Sequence, residues 1–231
     1  MRRIKIVFFD VDGVLTTVRS SWEYVHRRLG VLEEAKRGVR LFEEGLIDYE
    51  GWMRYDTSLW IKAAGGRLHR SLLYSILSEI PIRSGARELV SWLHKHGVIV
   101  ALVSAGVDLL VQRVAAEIGA DVYVSPRLRW DKRGYLIAGG HPLITPTGKR
   151  GKAWALKRIA GEYGVSLNEA VYVGDSRWDK EAMSVVAYPI AFGDECPELD
   201  EVALCRVRSM PELREAIELI EKGACTKKGV G

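Results

Sequence analysis

The segment IKIVFFDVDGVLTT, residues 4–17, decides the fold. Its apolar, β-branched run ends at Phe9 and leads directly into Asp10, Asp12 and Gly13. An apolar run that stops at a turn glycine predicts a strand buried on both faces, as in a parallel sheet. Two carboxylates at the end of such a strand are costly to desolvate unless a positive group compensates them. The segment therefore predicts a parallel sheet with a charged site at its edge.

Composition narrows the class of protein. The chain has 231 residues, 48% of them hydrophobic, which suffices for one large α/β domain or for a core domain with a small insert. The net charge is +4, but acidic residues are interleaved with the basic ones, so we expect no nucleic-acid partner. The longest apolar stretch, Val98–Val103, is too short to span a bilayer, and the N-terminal segment has no signal-peptide cleavage site. We therefore expect a cytoplasmic protein with no membrane partner.

Two residue counts add to this interpretation. The three cysteines, Cys196, Cys205 and Cys225, have no CxxC spacing, which argues against a disulfide framework and against a zinc site. The chain contains one glutamine and one asparagine. A depletion of thermolabile amides is expected in proteins from hot environments.

Residues 16–80, here called the helical insert, show helical spacing of apolar residues throughout. Ser20 and Glu23 have the spacing of a capping box, and glycine or proline marks the end of each of four predicted helices. Three tryptophans fall on these helices, at Trp22, Trp52 and Trp60. Because amphipathic helices bury aromatic side chains routinely, we interpret them as core packing rather than as a stacking platform for a ligand.

From residue 86 the pattern alternates between helix and strand, which predicts a parallel sheet. The predicted helices are 86–96, 107–118, 149–163, 177–186 and one from 211, and the predicted strands are 98–103, 122–124, 170–173, 188–192 and 202–207. The segment PRLRWDKRGYLIAG, residues 126–139, predicts a hairpin outside this sheet. The predicted fold is α/β, a Rossmann-like open parallel sheet with helices on both faces and an inserted small helical domain. We predict a core of residues 1–15 and 81–222, the insert 16–80, and a disordered tail 223–231.

Reactive side chains follow three of the predicted strands. Asp10 and Asp12 follow the first, Ser104 follows the second, and Asp175 follows the strand that begins at residue 170. In an open parallel sheet such groups converge beyond the carboxyl ends of the strands. Lys152, early on the preceding helix, is expected to join them. The sequence thus predicts carboxylates, a hydroxyl and a lysine in one crevice.

This set of groups suits phosphoryl chemistry. Clustered carboxylates repel one another unless a cation is bound, and Mg²⁺ favours one or two protein carboxylates, here Asp10 and Asp175. Ser104, loop amides and Lys152 would bind a phosphoryl group. A carboxylate in line with phosphorus attacks it and forms an aspartyl-phosphate. Asp12 would then serve as general acid and base, a role worth roughly 10² to 10⁴ in rate.

Four segments carry a resemblance to a known family. FFDVDGVLT (8–16), LVSAG (102–106), GKAWALKRIA (151–160) and VGDSRWDKEAM (173–183) resemble, in order and spacing, the motifs of the haloacid dehalogenase-like phosphohydrolases. In that family an inserted cap, similar to the helical insert, closes over the substrate. The resemblance implies a role for each of seven residues: Asp10 as nucleophile and metal ligand, Asp12 as acid/base and metal ligand, Ser104 and Ala105 as phosphate ligands, Lys152 as charge neutraliser, and Asp175 and Asp179 on the Mg²⁺ side.

Within that family the chain most resembles the phosphoserine phosphatase group, with three departures. That group has a glutamate near the position of Ser20 or Ser21, an arginine at the position of Asp56, and an asparagine at the position of Trp178. An acid in place of a carboxylate-binding arginine repels the carboxylate of phosphoserine, and Arg19 or Arg54 would have to replace that arginine. The leading function is Mg²⁺-dependent hydrolysis of a small phosphorylated metabolite, with phosphoserine hydrolysis and a phosphoacceptor signalling module without turnover as alternatives. The sequence does not indicate the oligomeric state.

Overall fold

The structure, a computed structural model, describes residues 4–224. Cys225 and nearly all of the predicted tail lie outside this range. In chain order the elements are β1 (Ile6–Phe9), α1 (Ser21–Arg28), α2 (Leu32–Glu43), α3 (Tyr49–Ala63), α4 (Arg70–Ser78), α5 (Ala86–Lys95), β2 (Ile99–Val103), α6 (Asp108–Ile118), β3 (Val122–Val124), β4 (Arg127–Trp130), β5 (Leu136–His141), α7 (Lys152–Glu162), β6 (Ala170–Gly174), α8 (Lys180–Met183), β7 (Tyr188–Phe192), α9 (Pro197–Asp200), β8 (Cys205–Val207) and α10 (Met210–Glu221).

Six of the strands form one parallel sheet in the order β3-β2-β1-β6-β7-β8. Strand β1, which the segment 4–17 contains, is therefore central, with Ile6 opposite Ile99 of β2 and Ala170 of β6. The predicted α/β fold class is confirmed. Because β2, β1 and β6 are adjacent and parallel, their carboxyl ends meet at one edge of the sheet.

Side chains of β1 alternate between two hydrophobic cores. Val7 and Phe9 pack into the core that includes α5, α6 and α10, whereas Ile6 and Phe8 pack into the core under α7 and α8. All four side chains are fully buried. A strand covered on both faces has no room for polar residues, which explains its continuous apolar sequence.

Two predicted elements differ from the observed ones. The predicted helix 177–186 begins as a single tight turn, Arg177–Asp179, and continues only as α8, because the Asp179 side chain accepts hydrogen bonds from the backbone at Asp175 and Ser176. The predicted strand 202–207 is reduced to β8, and the short helix α9 with Pro197 at its start precedes it.

The helical insert contains α1–α4, and the hairpin β4–β5 packs against it. Gly139 N–H donates to Thr57 Oγ1 (2.7 Å), and Leu136 N–H donates to the carbonyl of Leu68 (2.8 Å). The hairpin forms a two-stranded sheet apart from the main one, as predicted. Each of these two hydrogen bonds joins the insert to a hairpin residue more than 60 positions later in the chain.

The two ends of the helical insert are tied together. Thr16 and Ile82 form an isolated antiparallel bridge, and Arg83 N–H donates to the carbonyl of Leu15 (2.8 Å). The Arg83 guanidinium also donates to the carbonyls of Gly13, Val14 and Thr16. The chain thus leaves the core and returns to it at one point beside the Asp10 loop. Within residues 4–224 no helix is both long and apolar enough to cross a membrane.

Candidate active site

A cavity of about 430 Å³ lies beyond the carboxyl ends of β1 and β6, beneath the helical insert. Asp10, Asp12, Lys152 and Asp175 all line it, together with Ala105. The strand-end argument therefore brings these side chains to one place. Ser104 and Asp179 are 1% and 0% exposed, and within the described chain neither belongs to the cavity wall.

Lys152 joins two of the acids. As the first residue of α7 it extends its side chain under the sheet edge, where Nζ donates to Asp10 Oδ2 and to Asp179 Oδ1, each at 2.6 Å. Lys152 is 2% exposed. Burial opposes its charge, but the two carboxylates outweigh burial and raise the pKa of Lys152 above its ordinary value. The ammonium group is therefore a fixed positive charge next to Asp10.

Asp179 is held by more donors than any other acid of the site. Besides Lys152, it accepts hydrogen bonds from Tyr172 Oη (2.5 Å), from the N–H groups of Asp175 and Ser176, and from Ser176 Oγ. Burial works against its charge, yet Lys152 and these donors lower the pKa of Asp179 below its ordinary value. Asp179 is thus an ionised carboxylate whose hydrogen bonds fix Lys152 and the loop that carries Asp175.

Asp12 is positioned from the helical insert. Ser21, the first residue of α1, donates to Asp12 Oδ2 from both its N–H (2.8 Å) and its Oγ (2.7 Å). Asp12 Oδ1 is buried and makes no hydrogen bond to any described residue. Burial raises the pKa of Asp12, and the bonds from Ser21 only partly offset this. One oxygen is therefore anchored while the other is left open.

Gly13 permits the loop after β1 to approach the loop after β6 closely. A Cβ on Gly13 would lie 1.9 Å from Asp175 Oδ2, and its φ of 74° favours glycine. Asp10 itself is oriented by Val11 N–H, which donates to Asp10 Oδ1 (2.7 Å). The glycine in DVDG is thus required by the neighbouring acid as well as by the turn.

Ligand oxygens of Asp10, Asp175 and Asp179 lie within 4.8 Å of one another. Burial and the neighbouring carboxylates raise the pKa of Asp175 to about 8, and burial, opposed by Lys152, raises that of Asp10 to about 7. Such values indicate too little positive charge for the number of acids. The donor set of carboxylate oxygens fits a divalent cation, and Asp10 and Asp175 are the pair that would hold it, because Asp179 already accepts five hydrogen bonds.

Metal binding is accordingly expected to depend on pH. Asp10 and Asp175 have pKa values raised from 3.8, so without metal their contribution to stability is largest at low pH and is lost as the pH rises through about 7 to 8. A cation displaces their protons and therefore binds more tightly at high pH. We expect Mg²⁺ to raise the melting temperature more at about pH 8.5 than at about pH 6, measured by thermal shift. An equal or larger shift at about pH 6 would contradict this assignment.

Ser104 and Ala105 lie at the end of β2. Ser104 Oγ accepts a hydrogen bond from Gly106 N–H (3.1 Å), and the Ala105 carbonyl accepts bonds from Trp22 Nε1 (3.0 Å) and Tyr49 Oη (3.1 Å). Their role as phosphate ligands stays a prediction. What the structure adds is that this loop anchors the helical insert through two aromatic side chains.

Three contributors were not predicted from the sequence. Ser21, Tyr172 and Arg83 contact the acids or the loop that carries them. A signal existed for Tyr172, because strand alternation places it on the same face of β6 as Ala170, towards α7. Ser21 and Arg83 act through contacts across 9 and about 70 residues, and no local pattern indicates such pairs.

The rest of the cavity belongs to the helical insert and to the mouth. Five buried or half-buried lining residues of the insert, here called the inner end, are Trp22, Tyr49, Trp52, Met53 and Asp56. The half-buried Trp178 and the exposed lining residues Arg19, Arg177, Asp194 and Glu198 are here called the mouth. Trp60 is fully buried and stacks on Trp22, as the packing interpretation predicted. Trp22 and Trp52 also line the cavity, which that interpretation did not include.

Salt bridges cross the mouth of the cavity. Arg19 pairs with Asp194 (2.5 Å), and Arg177 pairs with Glu43 at the end of α2. The Arg177 guanidinium also lies over the Trp178 ring, 4.6 Å from its centroid. These exposed pairs link the helical insert to core loops, and each contributes little to stability.

Known proteins resemble this chain over most of its length. The family model of haloacid dehalogenase-like hydrolases matches residues 7–184. The chain is 27% identical over 220 residues to a phosphoserine phosphatase of Methanocaldococcus jannaschii, covering 95% of this chain and 99% of the relative. A phosphoserine phosphatase of Idiomarina loihiensis is 32% identical over 210 residues, 88% of each protein. A solved structure described as a phospho-aspartyl intermediate analogue of phosphoserine phosphatase superposes with a TM-score of 0.75 at 27% identity, covering 92% of this chain and 98% of that one.

Proposed function

This chain belongs to the haloacid dehalogenase-like hydrolases and is a phosphoric monoester hydrolase, and we propose that it hydrolyses a small phosphorylated metabolite with Mg²⁺ through an aspartyl-phosphate on Asp10. The observation that carries the proposal is the contact of the Lys152 ammonium with Asp10, next to the Asp175 carboxylate, in one cavity. Three carboxylates with one lysine favour a site that takes up a cation and then a phosphate dianion.

Asp10 is the nucleophile in this proposal. Val11 N–H and Lys152 Nζ bind its two oxygens and fix the direction of the carboxylate. Attack on phosphorus forms the Asp10 O–P bond while the bond from phosphorus to the leaving oxygen breaks. Mg²⁺ held by Asp10 and Asp175 would neutralise charge on the phosphoryl oxygens. Lys152 and the amide groups after β2 would bind the same oxygens from the other side.

Asp12 supplies the proton. Burial raises the pKa of Asp12, which shifts it towards the protonated form, and its Oδ1, which makes no hydrogen bond to a described residue, would face the leaving oxygen. Asp12 gives this proton to the departing alcohol and then takes one from the water that cleaves the aspartyl-phosphate. Ser21 keeps the carboxyl oriented through both transfers. This pair of proton transfers distinguishes a hydrolase from a phosphoacceptor module, in which the phosphorylated acid persists.

Phosphoserine hydrolysis is the second candidate, supported by the names of the similar proteins. Against it stands the inner end of the cavity, where Asp56 lies and where, among the described lining residues, there is neither lysine nor arginine. A carboxylate on the substrate would therefore have to be bound by Arg19 or Arg177 at the mouth, both of which are already paired.

The function is tested by phosphate release from p-nitrophenyl phosphate and from a panel of phosphorylated metabolites. We expect activity with Mg²⁺, its loss in EDTA, and its return when Mg²⁺ is added in excess. Turnover that persists in EDTA would contradict the metal assignment, and a single turnover without further release would favour the phosphoacceptor alternative. A cytoplasmic location, an origin in a hot environment and the absence of a nucleic-acid partner stay predictions from composition.

A further inference from the structure

Asp56 is a buried acid that the proposed chemistry does not use. It lies on α3 at the inner end of the cavity and is 2% exposed. Its Oδ1 has no hydrogen-bond partner among residues 4–224, and its Oδ2 faces His26 Nε2 at 3.4 Å, a long contact. A buried carboxylate oxygen without a donor costs free energy, which a ligand can recover by supplying one.

His26 is the one basic side chain within ion-pair distance of this acid among residues 4–224. Trp60 Nε1 donates to His26 Nδ1 (2.8 Å), so the proton of a neutral imidazole is on Nε2, facing Asp56. Burial raises the pKa of Asp56, and the contacts with His26 and with the Trp52 indole oppose this only in part. Burial of Asp56 is thus compensated only in part by its neighbours, and a bound cation would favour its ionised form.

The walls around Asp56 suit a cation. Trp22, Tyr49 and Trp52 line the same end of the cavity, and aromatic rings attract ammonium groups near their faces. The Trp52 indole is adjacent to the acid, because a Cβ on Gly38 would lie 3.1 Å from Asp56 Oδ1 and 3.2 Å from Trp52 Cδ1. Trp52 Nε1 forms no hydrogen bond of ordinary geometry with a described residue, but the indole lies close enough to the carboxylate to lower the pKa of Asp56.

Tyr49 connects this end of the cavity to the phosphate end. Its hydroxyl donates to the carbonyl of Ala105, next to the predicted phosphate ligand Ser104. Burial and then the charges of Asp56 and Asp12 raise the pKa of Tyr49, so both acids lie near this one side chain. A substrate that extends through the cavity from Asp12 to Asp56 therefore passes Tyr49.

From this arrangement we propose that the substrate is the phosphate monoester of an amino alcohol, whose ammonium group binds at Asp56 among Trp22, Tyr49 and Trp52. The proposal rests on the proposed function and names the leaving group that the site selects. A primary ammonium supplies both the missing donor and a positive charge, a quaternary ammonium supplies the charge alone, and a carboxylate at that position meets the like charge of Asp56. Phosphoserine should thus be a poorer substrate than the same ester without its carboxylate.

The test compares kcat/KM for phosphate esters of similar size that differ in charge. The first set is 2-aminoethyl phosphate (cationic), propyl phosphate (neutral) and 2-carboxyethyl phosphate (anionic). The second pair is choline phosphate (cationic) and its neutral isostere 3,3-dimethylbutyl phosphate. We expect each cationic ester to exceed its neutral partner by roughly 30-fold, and the anionic ester to be the poorest. Asp56→Asn should reduce the cationic preference to within about 3-fold. The matched control is Glu34→Gln, an exposed acid on α2 away from the cavity, which should keep the wild-type ratio.

Other outcomes identify what has failed. Hydrolysis of all the esters without a preference for the cation, or a ratio that Asp56→Asn does not change, overturns the inference and leaves the hydrolase intact. No release from any ester, p-nitrophenyl phosphate included, contradicts the proposed function instead. If Asp56→Asn does not fold, the melting temperature of the wild type is measured with choline and with 3,3-dimethylbutanol. We expect choline to raise it more. A larger rise with the neutral alcohol overturns the inference.

Discussion

Asp10→Asn is expected to lower kcat for p-nitrophenyl phosphate by at least about 10⁴-fold. An amide nitrogen or oxygen at this position cannot form a stable ester with phosphorus, so the covalent step is removed. The substitution keeps the size of the side chain and removes one negative charge from a cluster of acids. We therefore expect the fold to be retained, with a melting temperature no lower than that of the wild type.

The matched control for this variant is Asp131→Asn. Asp131 is in the β4–β5 turn, where Oδ1 accepts hydrogen bonds from the N–H groups of Arg133 and Tyr135, and asparagine can accept the same bonds. It does not line the cavity. Activity of Asp10→Asn within tenfold of the wild type, or a phosphorylated peptide that does not contain Asp10 after acid quenching, would refute the assignment of the nucleophile.

Lys152→Met is the second substitution with a large expected effect. It removes the ammonium that contacts Asp10 and Asp179 and leaves two buried carboxylates without their cation. Breaking a buried pair in this way lowers the free energy of unfolding by roughly 3–5 kcal/mol, measured here by urea denaturation without metal. We also expect kcat to fall by roughly 10²- to 10³-fold with Mg²⁺ present, because a charge that stabilises the transition state is lost.

The loss of stability in Lys152→Met should depend on pH. Without the ammonium, the pKa of Asp10 and of Asp179 rises, so their stabilising contribution falls as the pH increases through those values. The destabilisation should therefore be larger at about pH 8 than at about pH 6. Lys157→Met, an exposed position on the same helix, is the control and should leave stability within about 0.5 kcal/mol. Equal destabilisation by both variants would show that Lys152 is not the compensating charge.

The sequence predicted the core of the site because the relevant information is local. A buried strand followed by Asp10 and Asp12, together with parallel topology, is enough to bring Asp175 and Lys152 to the same edge. The bounds of β3 and β7 agreed with the prediction because each is a short apolar run beside a residue that interrupts a strand, Pro126 after β3 and Gly193 after β7. The contact of Ser21 with Asp12 could not be predicted, since it depends on how the helical insert sits over the sheet.

The same reasoning explains the tryptophans. Helical periodicity shows that Trp22, Trp52 and Trp60 belong to the inward faces of their helices, but it does not distinguish a packed core from the wall of a cavity. Trp60 meets His26 and Trp22, whereas Trp52 meets Phe42 on one side and the cavity on the other. Periodicity places Asp56 on the same inward face as Trp52 and Trp60, four residues from each, but a lone acid on a helix is ordinarily solvated, so the pattern alone does not predict its burial.

The joined ends of the helical insert have an evolutionary consequence. Because the chain departs and returns at neighbouring points, beside Thr16 and Ile82, the excursion between them can be exchanged for another of different length, provided that the replacement supplies the contact that Ser21 makes with Asp12. Recombination that replaces this excursion can then change which leaving group is preferred, while the core keeps the same phosphate chemistry. The hairpin opposes complete modularity, since Gly139 is bonded to Thr57, so a transplanted excursion would have to bring its own β4–β5 with it.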